Sequence, residues 1–230
     1  MLDALDLSSP AFPCPAARGL TDEVLDRHPV LRLLPDALRD VVRREGRLCA
    51  CESGESVMSA SPVVGFVLDG ALAAFDDRGL ACVDLLGPGA TFGWETAFAP
   101  SPGGRRLALL DSTWIETSVN GIRDVMGSDW LEHAFARHAL DRIHRLQTDS
   151  ACHAVHSVTT RAAKLIRRLY HAGGADVRTT QSAIAEAMGV QRTSVNAAVK
   201  TLEKDGAVSV RRGRIQILCA DRLTRAACGC

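Results

Sequence analysis

Thr180-Gln-Ser-Ala-Ile-Ala-Glu-Ala-Met-Gly-Val-Gln-Arg-Thr-Ser-Val-Asn-Ala-Ala-Val-Lys-Thr-Leu-Glu203 is the stretch whose reading decides the fold. Thr180 offers a hydroxyl cap to a short helix, Gln181–Met188, with Ile184, Ala185 and Met188 on its apolar face. Ala185 is small where two helices must approach closely. Gly189 can take the left-handed conformation that a tight inter-helix turn needs, and Val190 plugs the corner. The second helix, Arg192–Lys204, buries Val195, Val199 and Leu202. Gln191, Arg192, Thr193, Ser194 and Asn196 stay exposed on its first turns, and their hydrogen-bonding side chains suit base edges and phosphates in a major groove. Downstream, Val208-Ser-Val210 and Ile215-Gln-Ile-Leu218 alternate around Arg211-Arg-Gly-Arg214, which predicts a β-hairpin with a basic tip for the phosphate backbone.

Charge is distributed to match. The 230 residues hold 27 Lys/Arg and 27 Asp/Glu, a net charge of zero. Residues 1–128 carry 11 basic against 18 acidic residues (−7), residues 129–156 carry 3 against 4 (−1), and residues 157–230 carry 13 against 5 (+8). A basic terminal domain on a neutral chain is the electrostatic footprint of nucleic-acid binding. At 47% hydrophobic and 23% charged residues the chain can build a core, which excludes long disorder. Apolar runs such as Leu107–Leu110 fall far short of the ~20 residues of a membrane span. Met1–Pro10 carries Asp3 and Asp6 and no basic region ahead of an apolar stretch, so no signal peptide and a cytoplasmic location are expected. No nucleophile–base motif, P-loop or paired histidines at metal spacing are found, so an enzyme is not expected.

Four segments follow along the chain, in an α+β organisation. Residues 1–20 form a Pro- and Cys-containing arm expected to be flexible. Residues 21–128 begin with a helical stretch broken by Pro29 and Pro35, with Thr21 as a cap and Leu38, Val41 and Val42 on one face. They continue as short strands, Val63–Leu68, Ala71–Phe75, Ala81–Leu86, Leu107–Leu110 and Trp114–Val119, punctuated by turns as in a small antiparallel roll. Residues 129–156 read as one long helix with a stripe of Leu131, Phe135, His138, Ala139, Arg142 and Leu146. Such a stripe pairs with a second helix or packs on the chain's own roll, and a homodimer is the expectation. Residues 157–230 start with an amphipathic helix, Thr159–His171, ended by Gly173-Gly174, and hold the helical pair and hairpin.

These pieces, in this order, resemble the Crp/Fnr superfamily of bacterial transcription regulators over roughly residues 20–225. Gly54-Glu55, Gly65-Phe-Val-Leu-Asp-Gly70 and Gly87-Pro-Gly-Ala-Thr-Phe-Gly93 resemble the family's glycine-punctuated roll. The helical pair and Arg212-Gly-Arg-Ile-Gln-Ile-Leu218 resemble its helix-turn-helix and wing. The resemblance implies a cyclic-nucleotide-binding-type β-roll, a dimerisation helix and a winged helix acting on double-stranded DNA at an inverted-repeat operator, with RNA polymerase as a partner if the chain activates. It puts Arg192 where an arginine often reads a guanine, and Thr180, Ser182 and Lys200 where phosphates are usually touched. Thr193 and Ala197 stand where the best-known members carry a base-reading glutamate and a second arginine, so their operator sequences do not transfer. Two other readings compete. One is a signalling module that binds no DNA and whose C-terminal helices engage a protein. The other is an enzyme.

The sensor is read from the roll. Relatives that bind cyclic AMP use a Gly-Glu pair for the ribose and an Arg-Ser pair for the phosphate. This chain has Gly93-Trp94-Glu95 and Arg105-Arg106-Leu107. Trp94 stands at the glutamate position by simple alignment and is expected to fill the pocket, with Glu95 able to replace it if the loop shifts by one residue. Leu107 removes the hydroxyl that would help Arg106 hold an anion, so a signal other than cyclic AMP is expected. Cys14, Cys49, Cys51 and Cys82 are candidate ligands for an iron–sulfur cluster or redox thiols, and Cys14-Pro15 resembles a thiolate haem-ligand motif. Cys49 and Cys51 point to one face of a strand, and small core hydrophobes are the plain alternative for all but Cys14. Six of the seven histidines, at 133, 138, 144, 153, 156 and 171, lie on or near the long helix and are read as solvated. Cys228-Gly-Cys230, with Cys219 upstream, resembles the Cys-x-Cys ending of some family members, and a free tail is the plain reading.

Overall fold

The computed structural model describes residues 20–59, 62–98 and 104–230. The arm, including Cys14 and its Pro15, lies outside the described residues except for Leu20, which is buried. Three short helices lead in: α1 (Asp22–Asp26), α2 (Pro29–Leu33) and α3 (Asp36–Glu45). Both prolines sit where a ring costs no helical hydrogen bond, Pro29 at the first position of α2 and Pro35 as the cap of α3. Thr21 occupies the cap position of α1 without a side-chain bond. Leu38, Val41 and Val42 are buried together, as their spacing predicts.

Among the described residues, eight strands then fold as two antiparallel sheets. They are β1 (Arg47–Cys51), β2 (Ser56–Val57), β3 (Val63–Asp69), β4 (Leu72–Phe75), β5 (Cys82–Leu86), β6 (Thr91–Phe92), β7 (Arg106–Ala108) and β8 (Ser112–Ser118). The sheet orders are β1-β8-β3-β6 and β2-β7-β4-β5. The two-residue strands β2 and β6 are too short to show an alternating pattern. Cys49, Cys51, Val67, Leu72, Phe92 and Trp114 fill the space between the sheets. Alternation along β4 and β7 sends Leu72 and Ala108 inward, while the paired Ala73 and Leu107 face the other way. A further helix, α4 (Val119–Met126), is capped by Ser118, whose hydroxyl accepts from the Gly121 N–H at 3.4 Å. The sequence reading missed α4 because its Gly121 disfavours a helix, and packing outweighs that preference.

The long helix α5 runs Ser128–Val155, against 129–156 from the sequence. It is followed by α6 (Val158–Gly173), β9 (Asp176–Val177), α7 (Gln181–Met188), α8 (Arg192–Lys204), β10 (Val208–Arg211), β11 (Arg214–Ile217) and α9 (Ala220–Ala226). α7 and α8 match the sequence reading at both ends, and β10-β11-β9 form the wing sheet. The outward face of β4 and β7 does not meet solvent. Ala73, Phe75, Leu107 and Leu109 share one buried cluster with Ile166, Leu169, Ile184 and Val199, so a single core runs from the roll into the winged helix.

His28 is fully buried at the start of α2. Its Nε2–H donates to the Ala90 carbonyl at 3.2 Å, and its Nδ1 accepts from the N–H groups of Val30 and Leu31 at 3.2 and 3.4 Å. These partners assign a neutral ring. Burial pushes its pKa below the usual histidine value, against the smaller upward pull of the Ala90 bond. In the unfolded chain the ring protonates near pH 6.5, and the folded chain resists that proton. Stability is therefore full above about pH 6.5 and declines as pH falls below it, by about 1.4 kcal/mol for each tenfold loss of proton affinity. Urea denaturation at pH 7.5 and 5.5 should show the decline. His28→Asn keeps a capping acceptor without a titrating ring and should shrink it. An unchanged difference would remove His28 as its source.

Candidate nucleic-acid interface and effector pocket

The recognition unit is set by local chemistry. Thr180 Oγ1 accepts from the Ala183 N–H at 3.0 Å, starting α7, and Gly189 ends it at φ 62°, ψ 37°. That conformation costs a residue with a Cβ about 1–2 kcal/mol. Ile184, Ala185, Met188, Val195, Val199 and Leu202 are all buried, and Val190 packs partly buried against them. At 100° per residue, Arg192, Thr193, Asn196 and Lys200 share an arc of α8 away from that face. Arg192, Thr193 and Lys200 are exposed, as are Thr180, Ser182 and Gln191, while Ser194 and Asn196 are half-buried. No side chain caps α8, and its first residues face solvent, so the helix start offers N–H donors and a positive dipole end to an anion.

In the wing, Arg211 and Arg212 are exposed at the tip, with Gly213 at φ 71° between Arg212 and Arg214. Arg214 differs from its neighbours. Its Nε lies 3.1 Å from an Asp176 carboxylate oxygen on β9, so it ties the wing sheet together. Cross-strand pairing decides this, and the run of arginines does not reveal it.

A second site lies between the roll and α5. A cavity of about 250 Å³ is lined by Asp76, Asp77, Asp84, Glu95, Arg106 and Arg142 among others. Gly93 takes φ +85°, and a Cβ there would fall 2.1 Å from the Val63 carbonyl oxygen. The turn it makes overturns the expectation for Trp94, which does not fill the pocket. Trp94 is 4% exposed and packs edge-on against Phe66 with ring centres 6.3 Å apart, with Trp130 of α5 at 6.4 Å. Its indole N–H donates to Thr91 Oγ1 at 3.0 Å. Glu95 is the residue that faces the cavity, and its Oε2 is buried without a hydrogen-bond partner.

Arg105 and Arg106 part company by the alternation of β7. Arg106 turns inward, stacks 4.1 Å above the Phe92 ring and bonds Ser59, which in turn bonds Glu116. Burial lowers its pKa, with Glu116 and Glu95 pulling the other way, and its Nε has no partner. Arg105 turns outward and meets Glu186 of α7 at 2.7 Å. Leu107 is buried in the core shared with the winged helix, away from the cavity.

The stripe on α5 is also corrected. Leu131 is 0% exposed in the core beneath α1–α4, and Phe135 packs on Phe98 with ring centres 5.0 Å apart. His138 Nδ1 lies 3.3 Å from Thr91 Oγ1, and burial pushes its pKa down. Arg142 approaches Glu95 at 3.7 Å, Leu146 lines a second cavity beside the roll, and Ala139 is half-buried. This face packs on the chain's own roll. The open face carries Leu140 at 67% and Ile143 at 50% exposure, with exposed Ala136, Ala151 and Ala154 in line.

Cys49 and Cys51 are buried in the roll core, as their alternation predicts. Cys82 is half-buried beside α6, and its Sγ approaches the Asp84 carbonyl oxygen at 3.3 Å. Burial pushes its thiol up to about 11, which disfavours the thiolate that ligation needs. These three do not form a ligand group, so they do not fit an iron–sulfur cluster, and the haem candidate Cys14 lies outside the described residues. Among the described residues, the thiols that do converge are Cys152, Cys228 and Cys230.

Residues 160–226 match the Crp-like helix-turn-helix domain family. No curated protein matches the chain. Its fold is similar to that of FixK2 from Bradyrhizobium japonicum, at 14% identity and TM-score 0.63, covering 80% of this chain and 98% of that one. It is also similar to a Crp/Fnr-family transcriptional regulator from Eubacterium rectale, at 15% identity and TM-score 0.66, covering 87% and 98%. A third similar structure is CLP from Xanthomonas campestris, described as a c-di-GMP-responsive global regulator, at 13% identity and TM-score 0.60, covering 80% and 99%. Residues 160–226 thus carry a Crp-like helix-turn-helix domain, and the fold of the whole chain is similar to that of Crp/Fnr-family transcription regulators.

Proposed function

We propose that the chain is a homodimer that binds an inverted-repeat operator through α8 and the wing, under a signal other than cyclic AMP. The observation that carries the reading is the exposed arc of Arg192, Thr193, Asn196 and Lys200 beside the open start of α8. Arg192 is the base reader, and Thr180, Ser182, Lys200, Arg211 and Arg212 hold the backbone, while Arg214 braces the wing through Asp176. The signalling-module alternative leaves both the polar arc and the +8 of residues 157–230 without a task. Arg192→Ala should weaken the cognate site by about 1–3 kcal/mol and relax preference at one base per half-site. Arg211→Ala and Arg212→Ala should weaken all duplexes alike and flatten the salt dependence. Equal loss on cognate and random DNA for Arg192→Ala would make it a backbone contact.

The second copy is placed on the open face of α5 rather than on the stripe read from the sequence. A two-fold operator calls for a two-fold protein, and Leu140 and Ile143 are large apolar side chains left uncovered on this helix. Leu140→Glu or Ile143→Glu should yield folded monomers by light scattering. Leu131→Glu should instead destabilise the chain, because it puts a charge in that chain's own core. Dimers that persist in both of the first two variants would exclude this face.

For the signal, Glu95 supplies a carboxylate to the pocket, the alternative that a one-residue shift of the loop left open. What argues against cyclic AMP is the remainder of the lining. Asp76, Asp77, Asp84 and Glu95 outnumber Arg106 and Arg142, Arg106 is engaged by Ser59, and Leu107 faces away. An acidic cavity of about 250 Å³ suits a cyclic phosphate poorly. The c-di-GMP response of CLP belongs to that protein, and it is one case of this fold serving another signal. Calorimetry should find no saturable binding of cyclic AMP and no effect on DNA affinity. Micromolar binding abolished by Glu95→Ala would overturn this.

A further inference from the structure

Cys152 lies in the last turn of α5, and Cys228 and Cys230 follow α9. The three Sγ atoms lie within 4.8 Å of one another, although 76 residues separate Cys152 from Cys228. The Cys152–Cys228 pair is 3.4 Å apart, too long for the ~2.05 Å of a disulfide. It is close to the ~3.8 Å edge of a tetrahedron with metal–sulfur bonds of about 2.3 Å. A histidine stands beside one of them: His156 Nε2 is 3.2 Å from Cys230 Sγ, although the mutually close group is the three thiols alone. His156 caps the end of α5 in extended backbone, four residues on from Cys152. We propose that Cys152, Cys228 and Cys230 bind a thiophilic divalent cation of the zinc class, with His156 drawn in from its place beside Cys230 as the fourth ligand.

The surroundings suit that charge. Three thiolates and a neutral imidazole around a divalent cation leave one net negative charge, and the Lys164 ammonium acts on both Cys152 and Cys228. Lys164 is itself buried and held by Asp149 at 2.8 Å. Burial raises the Cys228 thiol, but bonds from Cys152 and Cys230 and the Lys164 charge prevail and hold it below its usual value. Burial pushes the Cys152 thiol up to about 11, so a bound cation would have to displace its proton. All-sulfur and nitrogen donors exclude magnesium and calcium.

The site has a mechanical consequence that rests on the DNA-binding reading. It would fasten the segment after α9 to the junction of α5 and α6, and α9 packs on α6. Occupancy would therefore fix how α8 is carried relative to the long helix.

The test is cobalt titration of the full chain, purified anaerobically, reduced and stripped with chelator. The expected result is one equivalent per chain, with thiolate-to-cobalt charge-transfer absorption and tetrahedral d–d bands, displaced by zinc. The Cys228→Ser/Cys230→Ser variant alters only the segment after α9, and circular dichroism checks that it is folded. It should lose the bands, Cys82→Ser should keep them, and His156→Ala should weaken uptake. Absence of the charge-transfer band in the reduced chain, or its survival in the double variant, overturns the site. So does a Cys152–Cys228 disulfide in the purified protein with no metal uptake after reduction. Uptake is read without DNA, so a chain that binds cobalt but no duplex supports the site and counts against the DNA-binding reading.

Discussion

The apolar contact between the outer face of β4 and β7 and the helices α6 and α7 is the constraint on which the rest of the molecule depends. Ala73, Phe75, Leu107 and Leu109 have no solvent-facing alternative once Leu72 and Ala108 are committed to the roll interior, because side chains on a strand alternate. Burying one leucine of this kind is worth about 1.5–3 kcal/mol, and several act together. The contact determines which way β7 faces. Leu107 toward the winged helix means Arg106 toward the cavity, and the two roles cannot be exchanged without turning the strand over.

The same contact brings the charged groups of the two regions into register. Arg105, at the edge of β7, reaches Glu186 on α7, and Arg168 of α6 donates to the Leu85 carbonyl at 3.0 Å. The Arg105–Glu186 pair is partly exposed and adds little stability by itself. Its value is positional, since α7 is packed against α8 and carries its orientation. β7 and Arg105 thus lie between the cavity and the pair α7–α8. α5 links the same regions, with His138 and Arg142 of its inner face at the cavity and Cys152 and His156 at its junction with α6.

Much of the helix-turn-helix was legible in the sequence because its chemistry is local. Thr180, Gly189 and the alternation of Val195, Val199 and Leu202 with polar residues lie within one short stretch. Each obeys a rule of capping, turn conformation or helical period that needs no distant partner, and both ends of α7 and α8 follow from them. The basic hairpin is legible for the same reason, as is the burial of Cys49 and Cys51 by strand alternation.

The sequence by itself determined the winged helix, its polar arc and the division of charge. Only the tertiary structure decided which face of α5 is taken by the chain's own roll, because periodicity marks an apolar stripe without naming what covers it. Only it decided between Trp94 and Glu95, because the choice hangs on the positive φ of Gly93 packed against Val63, and a linear alignment carries no such angle. Arg214 was counted with its neighbours until cross-strand pairing set it against Asp176. Cys152, Cys228 and Cys230 were scattered thiols in the chain, and they became neighbours because α9 folds back on α6 beside the end of α5. The common reason is separation: local rules act over a few residues, and these four outcomes depend on contacts made across the fold.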